Sequence, residues 1–176
     1  MTGKLHTIGY EGTELSDFLS TLRGAGVSLV IDVRAVSVSR RSGFSKTALS
    51  NALAEAGINY RHLRDLGDPK PGREAAREGR LRDFERIYST HLKTPSAQGA
   101  LKEATKLAVE EKACLLCYEA QPFGCHRTIV AQAVRKASGL GIDHLFPATK
   151  QNKAGKRAVV GGAGKRPHAG EGAPTA

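Results

Sequence analysis

Two uninterrupted apolar runs, Val27-Ser-Leu-Val-Ile-Asp-Val33 and Ala113-Cys-Leu-Leu-Cys-Tyr118, limit what this chain can fold into. Both are short and do not alternate polar with apolar residues, so they read as strands buried on both faces. Strands of that kind need a covering layer on each side, which a parallel sheet flanked by helices provides. The intervening sequence supplies those helices. Lys4–Tyr10 reads as a first strand. Thr13 can cap a helix with Leu15, Phe18, Leu19 and Leu22 on one face, ended by Gly24 and Gly26. Ser45 can cap a second, with Leu49, Ala52, Leu53 and Ala56 inward and Gly57 at its carboxyl end. Ile58–Leu63 reads as a strand, Leu81–Leu92 and Ser96–Glu111 as helices, Cys125–Ala137 as a helix and Ile142–Phe146 as a last strand.

Two polar stretches, Arg34–Gly43 and Arg64–Arg80, contain Gly or Pro and read as surface loops. The expected architecture is a three-layer α/β domain over residues 1–147, its mainly parallel sheet having about five strands with helices on both faces. From Lys150 onward the chain is rich in Gly, Ala, Lys and Pro. Six basic residues there face a single acid, Glu171, so about half of the formal net charge of +10 lies in this part. Residues 148–176 are therefore expected to form a disordered basic tail able to attract nucleic acid.

No stretch approaches the roughly 20 apolar residues of a membrane span. The first residues lack the apolar core of a secretory signal. Three cysteines, two of them within one short segment, do not make a disulfide framework. A cytoplasmic protein without membrane contact is expected, of unknown oligomeric state.

In parallel sheets, ligands bind beyond the carboxyl ends of the strands. The polar clusters of the body fall there: Tyr10-Glu11-Gly12, Asp32-Val33-Arg34 with Arg40 and Arg41, His62, and Glu119 through Arg127. The last is the densest, because Cys125, His126 and Arg127 open a helix directly after a break at Pro122 and Gly124. Cations at a helix amino end are opposed by its dipole, so an anion is expected beside them, either Glu119 or a ligand.

Several chemistries compete for these residues. Cys117, Cys125 and His126 could hold zinc, but a fourth ligand is missing. Cys114 and Cys117 lie three apart on a strand and point to opposite faces, which removes a C-x-x-C metal or redox pair. Cys125 beside His126 and Arg127 can be a nucleophile of lowered pKa or a packed thiol. Glu119 and His126 can move protons, or Glu119 can simply hold the cations. Arg34, Arg40 and Arg127 suit an anion pocket. Tyr10, Asp32, His62 and Cys117 are supporting candidates at the same edge.

These residues also carry a family resemblance. Thr7-Ile-Gly-Tyr10, Val30-Ile-Asp32-Val-Arg34, Phe44-Ser-Lys46, Tyr60-Arg-His62-Leu63 with Leu66-Gly67, and Cys117-Tyr-Glu119 through Cys125-His126-Arg127 resemble domain of unknown function 488, a bacterial and archaeal family. The resemblance spans residues 5 to 146. It implies the fold and the location of the site but no settled reaction, and Tyr10 stands where relatives often carry His. The expected function is an enzyme acting on an anionic, phosphate-containing substrate, with nucleotides and nucleic acid among the candidates. Arg34, Arg40 and Arg127 would bind the anion, and Glu119, His126 and Cys125 would do the chemistry. The alternatives are a non-catalytic nucleic-acid-binding module and, less favoured, a zinc-binding structural protein. No cofactor is expected under the leading reading.

Overall fold

The computed structural model describes residues 3–149. Five strands, β1 (Lys4–Gly9), β2 (Leu29–Asp32), β3 (Asn59–His62), β4 (Ala113–Cys117) and β5 (Gly141–Leu145), form one sheet. Its order is β3-β2-β4-β1-β5 and every neighbouring pair is parallel. The helices are α1 (Leu15–Gly24), α2 (Lys46–Glu55), α3 (Lys70–Arg77), α4 (Leu81–Leu92), α5 (Pro95–Glu110) and α6 (His126–Ser138). The three-layer α/β architecture follows directly from the continuous apolar runs. β2 and β4 are buried at every position.

Their side chains alternate between two cores, as the strand period requires. Leu29, Ile31, Val33, Ala113 and Leu115 pack against α3 to α6. Val30, Cys114 and Leu116 pack against α1 and α2, with Phe18, Leu22, Leu49 and Leu53. Cys114 thus belongs to one face of the sheet and Cys117 to the other. On α5, Ala97, Ala100, Ala104 and Ala108 are buried at helical spacing. Their small size lets this helix lie close to its neighbours.

Two local expectations are corrected, for Thr13 and for Arg64–Arg80, and the one for Ser45 holds in position. Glu14 caps α1, whereas Thr13 donates its hydroxyl to Ala148 O at 2.7 Å and pairs with Thr149 in an antiparallel bridge. Ser45 does cap α2, but its hydroxyl is spent on the backbone of Ser39 rather than on the helix. Arg64–Arg80 is not a loop. It folds as a 3-10 turn, Arg64–Leu66, followed by helix α3. The basic tail expected at 148–176 lies, from residue 150 on, outside the described residues.

The connections place the site. β1 and β2 feed α1 and α2 on one face, while β4, lying between them, feeds α6 on the other. Loops leaving in opposite directions open a crevice at the carboxyl edge. Gly9, the last residue of β1, lets the chain after β4 fold back tightly across it. A Cβ at Gly9 would lie 1.7 Å from Glu119 O and 2.7 Å from an Arg127 nitrogen. Backbone cannot yield by that much, so Gly9→Ala is expected to lower unfolding free energy by about 3 kcal/mol, the upper end of overpacking costs. Urea denaturation of the variant checks this.

Candidate functional site

The sequence-predicted residues sort into two groups at this edge. The first is a closed ion-pair network. Asp32 and Arg34 lie two apart at the end of β2, so they share a face, and Arg34 grips Asp32 with Nε–Oδ1 at 2.8 Å and Nη2–Oδ2 at 2.6 Å. Arg34 Nη1 donates to Phe44 O at 2.8 Å and to the Tyr10 hydroxyl at 3.1 Å. Tyr60 donates its phenol to Asp32 at 2.6 Å, and burial beside this carboxylate pushes the phenol's pKa up. Tyr10 stacks on Phe44, with ring centroids 4.4 Å apart, and donates to Ser39 at 3.2 Å. The His62 ring bonds Arg34 O at 2.8 Å. Asp32 and Arg34 are both buried, and every nitrogen of the guanidinium has an internal acceptor. This group pins the loop after β2 to the sheet.

The second group surrounds the start of α6. Arg127 is wholly buried and is the largest fully enclosed side chain among the described residues. It donates to Cys117 Sγ at 2.8 Å, to Thr7 Oγ1 at 3.3 Å, to Ala120 O at 3.2 Å and to Glu119 O. Of the residues expected to bind an anion, Arg34 and Arg127 both spend their donors on the protein itself, Arg34 at the cleft wall and Arg127 behind it. Arg127 holds the turn that follows β4 in place. That turn presents Glu119, Cys125 and His126 to a cleft of about 790 Å³.

Cys125 sits at the amino-terminal cap of α6, its Sγ 3.2 Å from Glu119 Oε2, 3.0 Å from Cys117 Sγ and 4.0 Å from His126 Nδ1. His126 is fixed by Nε2 on Val33 O at 2.8 Å, which leaves Nδ1 turned toward the sulfur. Burial works against ionising Cys125, but the hydrogen bond with Cys117 and the charge of His126 outweigh it, bringing the thiol down to about 6. Burial likewise opposes charge on His126, yet the neighbouring sulfur and Glu119 raise it to about 9. At neutral pH the two form a thiolate–imidazolium pair at a helix amino end, which favours the negative sulfur. Burial raises Cys117 far above the ordinary thiol range, so it stays protonated. Glu119 is held below the usual carboxylate range, because the charge of His126 and the hydrogen bond from Cys117 overcome its desolvation.

Part of the cleft comes from α3 and the turn before it, which the sequence pattern did not reveal. Asp68 is buried, with Oδ1 lacking a hydrogen-bond partner among the described residues. Burial raises it to about 6 despite the opposing charges of His126 and Arg73. An acid raised in this way costs stability progressively as pH climbs from the unfolded value through about 6. Arg73 and Arg77 of α3 line the cleft with Arg40 and Arg41, and Arg41 donates to Thr13 O. Tyr118 and Phe123 stand at its mouth, Phe123 being 83% exposed. Asp32 and His62 do not line the cleft. Of the three residues weighed for zinc, His126 lies outside the group whose possible ligand atoms converge most closely. Cys117, Glu119 and Cys125 instead bring possible ligand atoms within 4.8 Å of one another.

If Cys125 carries the lowered pKa, its alkylation by iodoacetamide in the folded protein follows a titration with a midpoint of about 6, and His126→Asn moves that midpoint upward. Stopped-flow or quenched mass spectrometry across pH 4 to 9 measures it. A model of the family described as domain of unknown function DUF488 matches residues 14–134, from the start of α1 into α6. No curated protein matches the chain.

Proposed function

The chain belongs to the family of domain of unknown function DUF488, and we propose that it is an enzyme acting on an anionic, phosphate-containing substrate, a nucleotide or nucleic acid, in the cleft at the carboxyl edge of the sheet. The observation that carries this reading is the Cys125–His126 pair at the base of a cleft lined with Arg40, Arg41, Arg73 and Arg77. A thiolate held charged at neutral pH costs solvation that a purely structural cysteine has no need to bear.

The layout of charge narrows the reaction. The arginines line the cleft together with acidic groups, Glu119, Asp68 and the Cys125 sulfur. A phosphate resting on those groups would be repelled, so the phosphate is a handle held by the arginines and the reacting centre is a neutral part of the substrate. In this scheme Cys125 is the nucleophile, Glu119, ionised, accepts a proton, and Asp68, titrating at about 6, supplies one. Arg40 and Arg77 have no acidic partner among the described residues, and they take the anion-binding role in place of Arg34 and Arg127. Tyr118 and Phe123 offer faces on which a base can stack, worth about 1–3 kcal/mol per base.

Thermal-shift screening of nucleotides, sugar phosphates and short oligonucleotides tests the proposal. A phosphate ester is expected to raise Tm for the wild type and to do so at least tenfold less potently for Arg40→Ala/Arg77→Ala. Glu119→Gln should keep that binding and lose turnover by about 100-fold or more. A non-catalytic nucleic-acid-binding module predicts the opposite pattern. Its binding would fall steeply with salt, weaken when residues 150–176 are removed, and ignore Glu119→Gln. Equal stabilisation of the wild type and the double arginine variant by every anion would sink both readings of the cleft.

A further inference from the structure

Cys117 and Cys125 come from different elements, the end of β4 and the cap of α6, and still bring their sulfurs to 3.0 Å. About 1 Å of travel separates them from a disulfide bond length of about 2.05 Å. The segment between them, residues 118–124, contains no helix or strand. It ends on Gly124 at φ 72°, and Phe123 within it is largely exposed. This stretch can absorb the small adjustment that closing a bond requires.

The two sulfurs are not equivalent. Cys125 lines the cleft with 3% of its surface exposed, whereas Cys117 is fully enclosed behind it. Arg127 Nη1 donates to Cys117 Sγ at 2.8 Å, a contact that would stabilise negative charge arising there. Glu119 Oε2, 3.2 Å from Cys125 Sγ, is an acceptor within reach of a proton leaving the pair. Cys114 belongs to the opposite face of the sheet and cannot join.

We propose that Cys117 and Cys125 form a peroxide-responsive thiol–disulfide pair, in which Cys125 reduces a hydroperoxide and Cys117 resolves the oxidised sulfur. In the first step the Cys125 thiolate attacks the terminal peroxide oxygen. The S–O bond forms, the O–O bond breaks, and the leaving alkoxide or hydroxide takes its proton from the His126 imidazolium. Cys125 is thereby oxidised by two electrons to the sulfenic acid and the peroxide is reduced to an alcohol or water. In the second step the Cys117 sulfur gives up its proton and attacks Cys125. The S–S bond forms, the S–OH bond breaks, and the departing hydroxide leaves as water. An external dithiol restores both thiols by exchange. The disulfide removes the nucleophile of the cleft reversibly and shields Cys125 from irreversible oxidation. This chemistry needs no particular substrate in the cleft, so it stands or falls separately from the phosphate reading.

The test treats the reduced full-length protein with stoichiometric hydrogen peroxide and reads intact mass and a peptide map. The expected result is a loss of two hydrogens, a Cys117–Cys125 crosslink, loss of alkylation at both residues, and full reversal by dithiothreitol. Cys114→Ala should behave as wild type. Cys117→Ser should instead gain one oxygen at Cys125, trappable by dimedone. If that variant does not fold, the wild-type crosslink map decides alone. Addition of two or more oxygens at Cys125 with Cys117 still alkylatable would overturn the proposal. So would a crosslink through Cys114, unreactive thiols, or a zinc ion in the native mass spectrum that blocks oxidation until chelator is added.

Discussion

Arg127 is the interaction on which this edge of the molecule depends. Its guanidinium reaches β1 through Thr7, the end of β4 through Cys117, and the following turn through the carbonyls of Glu119 and Ala120. A planar fork with five donors can serve four acceptors in different directions, which an ammonium group cannot reproduce. Burying a cation this completely is tolerable only when its donors are matched. The match also explains Gly9, since any side chain there would strike both the Glu119 carbonyl and Arg127 itself. The turn that carries Glu119 and leads to Cys125 is therefore set by a buried charge rather than by apolar packing.

The molecule divides its cations by what they can reach. Arg34 and Arg127 are enclosed and bound to internal acceptors, and each fixes the loop leaving a central strand. Arg40, Arg41, Arg73 and Arg77 stand along the cleft, where Arg73 and Arg41 each keep one backbone contact, to Asp68 O and Thr13 O. Between these sets lie Glu119, Asp68, Cys125 and His126, close enough for each to shift the protonation of the others. Charge held in place by a fixed frame, at the edge where helices leave on both faces, is the physical basis for chemistry there. The same closeness brings two thiols together, one at the wall of the cleft and one sealed behind it.

Much of this was legible in the residues. The unbroken apolar runs specify strands covered on both sides, and the parallel sheet follows. The strand ends then collect Glu119, Cys125 and His126. Two things were harder to read. Asp32 and Arg34 sit two apart on a strand, a spacing that already puts them on one face and allows a pair. Reading each as a free group overlooked the strand period. Helix α3 was missed because only Gly72 and Ala75 of its residues are buried, so no apolar period marks it. The signal present was punctuation: Pro71 in the first turn and Gly79 just past the end. With α3 went Asp68, Arg73 and Arg77, whose place in the cleft depends on a helix that composition disguises as loop.

The most direct measurement replaces Arg127 with Lys and follows two readouts on the same protein, urea denaturation and the pH midpoint of Cys125 alkylation. Loss of the fork should lower unfolding free energy by about 3 kcal/mol or more, because carbonyls and a thiol are left without donors. The alkylation midpoint should rise above about 6, since Cys117, whose hydrogen bond to Cys125 lowers the thiol, is released from Arg127. A variant with unchanged stability and an unchanged midpoint would show that the buried guanidinium does not organise the site.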